Sequence, residues 1–137
     1  MDYTQTLEYI HSLGNFKLPA GLERITEALK RLEKKKKNFD SIHIAGTNGK
    51  GSVCTMLAKI FETAGFKTGL YISPYIIDFR ERIQINGNFI SEDKIAEYAV
   101  RVKNTGVEMS EFEFITAMAF SYFADENCDI VIAETGL

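Results

Sequence analysis

Apolar residues at Tyr3, Leu7, Tyr9, Ile10 and Leu13 recur at helical spacing and stop at Gly14, which predicts an amphipathic helix over 3–13. Leu22, Ile25, Leu29 and Leu32 keep the same period and predict a second helix from about Leu22 to Lys35, after a loop over Asn15–Gly21 that carries Pro19. The pattern then shortens. Ser41–Ala45 reads as a strand, Gly46–Gly51 as a glycine-rich loop, and Ser52–Ala64 as a helix stopped by Gly65. Lys67–Ile72 predicts another strand, broken by Ser73-Pro74. The alternation in Arg82–Ile85, the turn Asn86-Gly87 and the return at Phe89-Ile90 predict a hairpin, inserted outside the main sheet. Ser91 is placed to cap a helix running to about Lys103. Ser110 and Glu113 have capping-box spacing ahead of a helix containing Phe114, Met118 and Phe123. Ile130–Ala133 is continuously apolar, as in a strand buried on both faces of a parallel sheet. Strands separated by helices define an α/β class: a mostly parallel sheet flanked by helices, with a β-hairpin insertion.

Length and composition narrow the function classes. The chain has 137 residues, about one domain's worth, and 45% hydrophobic residues are enough to bury a core. Sixteen Lys+Arg against 19 Asp+Glu leave a formal charge of −3, too mild for an electrostatic grip on nucleic acid or an anionic membrane. The basic block Lys34–Lys37 reads as a solvated helix end. Cys54 and Cys128 form no C-x-x-C, so neither a disulfide framework nor a zinc site is expected. With no leader-like start and no apolar run of membrane-spanning length, the expected location is the cytoplasm.

Gly46-Thr47-Asn48-Gly49-Lys50-Gly51-Ser52 holds the most specific chemistry. Glycines between a strand and a helix let successive backbone N–H groups turn inward and form an anion cradle at the positive end of the helix. Lys50 would supply a point charge for β- and γ-phosphates, and Ser52 a hydroxyl for the accompanying magnesium. The strict G-x-x-x-x-G-K-[ST] form is not met, because an apolar residue stands where the first glycine belongs and Gly51 follows the lysine.

Ser73 and Glu134 each end a predicted strand, where ligands of open α/β sheets gather; Glu134 would offer a hard oxygen to magnesium. Glu81 and Arg82 read as surface charges entering the hairpin. Glu113 reads as a capping residue, and His11 and His43, with no partners at recognisable spacing, as packing or surface residues.

Several motifs in order give this chain a resemblance to the folylpolyglutamate synthases and bifunctional dihydrofolate/folylpolyglutamate synthases, relatives of the Mur ligases. They are Gly21-Leu22-Glu23-Arg24-Ile25, Ile44-Ala45-Gly46-Thr47-Asn48-Gly49-Lys50-Gly51-Ser52, Ser73-Pro74, Glu81-Arg82-Ile83, Phe112-Glu113 with Thr116 and Ala117, and Glu134-Thr135-Gly136-Leu137. The resemblance also accounts for the irregular loop: Mur ligases carry GTNGK-[ST], and the folate branch adds the glycine at 51. Two departures stand out. Tyr75 replaces the histidine usual after Ser73-Pro74, and Thr135 replaces an aliphatic residue.

The family likeness implies a P-loop NTPase-like fold and an ATP-dependent amide-bond ligase that joins L-glutamate to folate or dihydropteroate through an acyl phosphate. It further implies ATP and Mg2+ as cofactors, with Gly46, Thr47, Asn48, Gly49, Lys50, Gly51 and Ser52 on the triphosphate and Lys50 catalytic. Ser73 and Glu134 would be metal ligands. Ser110, Glu111, Phe112 and Glu113 would serve the pteroate pocket, joined by the loop around Lys17–Ala20. No nucleic-acid or membrane partner and a monomeric full-length enzyme are implied. Family members run roughly three times this length. Residues 1–137 therefore correspond to the N-terminal part of the ATP-binding domain, an incomplete ATPase domain inactive by itself, without a C-terminal glutamate-binding domain. Two alternatives remain open here: a Mur-type peptidoglycan precursor ligase and a free-standing nucleotide-binding module.

Overall fold

The structure is a computed structural model that describes residues 1–14, 22–32, 39–46 and 48–134. Lys17–Ala20, Lys34–Lys37, Thr47 and Thr135–Leu137 therefore lie outside the described residues. The chain divides into two compact units, one of residues 1–36 and 91–122 and one of residues 37–90 and 123–137.

The first unit is helical. Helix α1 (Tyr3–Leu13) starts at Asp2, whose carboxylate accepts the Gln5 N–H at 2.8 Å while the Gln5 side chain accepts the Asp2 N–H at 3.0 Å, and it ends at Gly14. Helix α2 is Glu23–Leu32, and α4 is Glu92–Lys103, capped by the Ser91 hydroxyl as its spacing predicts. Ile95, Tyr98, Ala99 and Val102 form the buried stripe of α4, which packs against α1 and α2. Helix α5 (Glu111–Asp125) buries the unbroken run Phe114–Ala119, so it is an interior helix rather than a surface one.

The second unit contains the sheet. Its strands are β1 (Asp40–Ile44), β2 (Thr68–Tyr71), β3 (Ile83–Ile85), β4 (Asn88–Phe89) and β5 (Ile130–Glu134), in the order β1-β5-β2-β3-β4. β1, β5 and β2 run parallel, whereas β2–β3 and β3–β4 are antiparallel. This corrects the expected position of the hairpin. β3 pairs with β2, Tyr71 opposite Ile83, so the hairpin extends the main sheet instead of lying outside it. Free backbone N–H and C=O groups on the edge of β2 supply the reason, because a neighbouring strand satisfies them.

β5 is buried along its whole length, as its apolar run predicts. Helix α3 (Lys50–Thr63) packs on β5, β2 and β1, and Cys54 joins Leu70, Ile130 and Ile132 in the core beneath it. On β2, Gly69 is required by close approach: a Cβ there would sit 2.9 Å from the Phe123 ring.

Candidate functional site

The carboxyl ends of the three parallel strands gather the predicted chemistry. Ile44, the last residue of β1, pairs with Glu134, and Tyr71, the last residue of β2, pairs with Ala133. β5 thus stands between the strand that leads into the glycine loop and the strand that leads into Ser73. Neighbours in space are here 90 residues apart in the chain, since the order β1-β5-β2 places the last strand in the middle.

The loop enters α3 through Gly49, the N-cap residue, at φ 73° and ψ 8°. That left-handed conformation is open to glycine without strain. Gly49 makes no side-chain cap bond to α3, whose first turn lies at the positive end of the helix. The helix begins at Lys50, two residues before the start read from periodicity, because the lysine and Gly51 already lie in its first turn. Asn48, Gly49 and Ser52 are exposed, and Gly46 lies at φ 148° on the near side of the loop.

Behind the loop is a compact charged group. Lys50 Nζ lies 3.9 Å from Glu134 Oε1, with the two side chains only 16% and 9% exposed. The Ser73 N–H donates to Glu134 Oε2 at 3.2 Å. Gly51 adjoins the same carboxylate, where an added Cβ would lie 3.9 Å from Oε2. Beneath them the Cys54 thiol is held protonated, pushed up by burial first and then by the negative charge of Glu134, against the opposing pull of Lys50.

Glu134 and Ser73 offer hard oxygen donors of the kind magnesium takes. Among the described residues no group of three or more His, Cys, Asp or Glu could hold a metal ion by itself.

In the helical unit Ser110, Glu111, Phe112 and Glu113 form the start of α5. Their capping box is present: the Ser110 N–H donates to Glu113 Oε1 at 3.1 Å, and the Glu113 N–H donates to the Ser110 hydroxyl at 3.3 Å. Arg24 Nε also donates to Glu113 Oε1, at 3.1 Å. Burial pushes the Glu113 carboxyl up, but the bonds from Ser110 and Arg24 together outweigh it and hold the group below the usual carboxylate range. Phe112 is 38% exposed beside this anchored start.

Sequence reasoning did not assign Arg24 a role; its partner is 89 residues away, and its only signal is its place in the Gly21–Ile25 motif. His11 also has a partner after all, its Nδ1 lying 2.9 Å from Glu111 Oε1 across 100 residues of sequence. His43 is exposed on β1 as expected.

Glu81 and Arg82 are not loose surface charges. Glu81 accepts the N–H groups of Ile76, Ile77 and Asp78 at 3.0, 3.0 and 2.7 Å, and these bonds hold its carboxyl below the usual carboxylate range. Asp78-x-x-Glu81 is itself a capping-box spacing, so the signal was present in the sequence.

No family model matches the sequence. The dihydrofolate synthase/folylpolyglutamate synthase of Bacillus subtilis is 37% identical over 144 residues, which cover 98% of this chain and 34% of the relative. The solved apo form of L. casei folylpolyglutamate synthase matches with a TM-score of 0.93 at 34% identity, over 100% of this chain and 36% of that one. A solved complex of folylpolyglutamate synthase with AMPPCP and folate gives the same TM-score, identity and coverages. The chain thus spans about a third of the length of the relatives it matches, and over that stretch it shares their α/β fold.

Proposed function

We propose, on the premise that this chain is a homologue of the folylpolyglutamate and dihydrofolate synthases, that it supplies the triphosphate loop of an ATP-dependent amide-bond ligase. In this reading residues 1–137 are the N-terminal part of the ATP-binding domain, inactive alone. The full-length protein joins L-glutamate to a folate, and to dihydropteroate if it is bifunctional. One observation carries the reading: an uncapped helix start with Lys50, set against Glu134 and Ser73 at one end of three parallel strands.

The chemistry follows from that arrangement. A carboxylate is a poor electrophile at neutral pH, so the folate carboxylate first attacks the γ-phosphorus of ATP, the bond to the bridging oxygen breaks, ADP leaves and an acyl phosphate results. The glutamate amine then displaces phosphate. Gly46, Thr47, Asn48, Gly49, Lys50, Gly51 and Ser52 hold the triphosphate through backbone N–H groups and the lysine charge. Lys50, whose Nζ lies 3.9 Å from Glu134 Oε1, would offset the charge that builds up on the phosphates during transfer. Ser73 and Glu134 are the residues that would hold magnesium, whose positive charge neutralises phosphate oxygens when bound.

Ser110, Glu111, Phe112 and Glu113 serve the pteroate pocket in the same reading. Glu113 spends its carboxylate on Ser110 and Arg24, so its part is to anchor the helix start. Phe112 is the aromatic face available to a pterin ring.

A coupled ATPase assay on the full-length protein tests the proposal, with tetrahydrofolate and dihydropteroate run in parallel. ADP and phosphate are expected only when a pteroyl acid and glutamate are both supplied. Hydrolysis that depends instead on a UDP-linked muramyl substrate would move the protein to the Mur branch, and undiminished AMPPCP binding by the 137-residue chain alone would favour a free-standing nucleotide-binding module.

A further inference from the structure

The segment from Ser73 to Arg82 carries four charged side chains, and three are fully engaged. Arg80 grips Asp78, its Nε 3.2 Å from each carboxylate oxygen and its Nη2 2.8 Å from Oδ2. Glu81 is taken up by the three backbone N–H groups it accepts. Arg82 differs. Its guanidinium carbon lies 5.2 Å from the centroid of the Tyr75 ring and 5.2 Å from that of Phe79, so two aromatic rings hold the group in place. Yet among the described residues no carboxylate pairs with it, and its Nε is buried without any hydrogen-bond partner.

A guanidinium placed this way reduces stability unless something repays its desolvation, and ring contacts repay only part. Both nearby acids have been given other partners by the same loop, so the vacancy is built in rather than accidental packing. The position is equally specific. The Ile72 N–H donates to the Arg82 carbonyl at 3.0 Å, and the next residue, Ile83, pairs with Tyr71. Arg82 therefore stands across from Ile72, the residue before Ser73, whose N–H meets Glu134 just past the carboxyl end of β2.

We propose that Arg82 is the receptor for an oxyanion of the ligand, a carboxylate or a phosphoryl group, which its planar N–H fork can bind by two hydrogen bonds. Stacked arginine suits this task because its fork is already oriented before the anion arrives. The source of the anion, acid substrate or nucleotide, rests on the function proposed above; the subsite itself does not.

Steady-state kinetics of the full-length protein and its Arg82→Gln and Arg82→Lys variants test the idea. Loss of a bidentate charged contact should raise one KM by about tenfold or more: that of the pteroyl acid if the anion is a carboxylate, that of ATP if it is a phosphate. Lysine, with the charge but not the fork, should recover only part. Because the buried Arg82 Nε has no hydrogen-bond partner among the described residues, relief of its desolvation should offset the lost ring contacts and leave the Tm near the wild-type value, whereas an arginine with a purely structural role would lower it. Unchanged KM values for ATP, pteroyl acid and glutamate would overturn the proposal, as would a uniform fall in kcat with a lowered Tm. Should Gln fail to fold, Arg82→Met, which fills the space between the rings, takes its place.

If the wild type shows no folate-dependent ATP turnover, the functional reading fails, and calorimetry with folic acid and with pyrophosphate decides the subsite separately. Weaker binding of either probe by the variant supports it; equal binding of both overturns it.

Discussion

Two helices of this protein begin next to residues singled out for chemistry, and they begin in opposite ways. At the start of α5 the orphan N–H groups are closed by the chain's own side chains: Ser110 and Glu113 cap one another, and Arg24 ties the carboxylate to α2. At the start of α3 a left-handed glycine stands where a capping side chain would be. Closed ends contribute to stability, whereas open ends with a cation beside them are available to an anion. On the function proposed above, the difference separates an anchor from a binding site.

Substitutions at the two helix starts should therefore have different consequences. The largest effect is expected at the open one. Lys50→Ala in the full-length protein should lower ADP release by about 10²–10³-fold, the usual range for removing one group that stabilises transition-state charge. The rise in Tm that AMPPCP gives the wild type should vanish with it. An unchanged response to AMPPCP would remove Lys50 from the phosphate site.

Glu113→Gln should act on the closed end, lowering unfolding free energy in urea by about 1–3 kcal/mol through the damaged cap and the broken pair with Arg24. The pH profile gives this a direction. Glu113 is held below its ordinary value of 4.5, so its stabilisation is full above that pH and is lost as pH falls through the lower folded-state value. The variant should be flatter than wild type in that acid window. Equal acid slopes would show that the carboxylate contributes nothing through its charge.

Ser110→Ala removes only the hydroxyl half of the cap, and about 1 kcal/mol is expected in the same urea titration. Smaller still is His11→Ala. Its contact with Glu111 is 44% exposed on the histidine side, so a change within about 0.5 kcal/mol is expected near neutral pH. A larger loss there would mean that the α5 start depends on α1 more than on its own cap.

Local signals in the sequence carried most of the elements. α1 matches its predicted span because apolar period and Gly14 agree, and Ser91 and Ser110 announce α4 and α5 because a cap needs only residues three apart. The glycine turn into α3 was equally legible, since strand, glycine and helix signals follow one another directly in the chain.

Long-range pairing was not. Nothing near β3 in sequence says that its free edge meets β2, so the hairpin was expected outside the sheet. The partners of His11 and Arg24 are 100 and 89 residues away, and no periodicity spans such a gap. Arg82 shows the same limit from another side: beside Glu81 it reads as one of two surface charges, and only the folded loop reveals that the glutamate is used up and the arginine is not.

By itself, then, the sequence determined where helices and strands begin, which helix start is left open, and which residues could meet a phosphate, because each follows from neighbours a few positions apart. Tertiary structure decided what those residues meet. By placing β5 between β1 and β2, it brought Glu134 to Lys50 and Ser73 and turned three separate strand ends into one charged site.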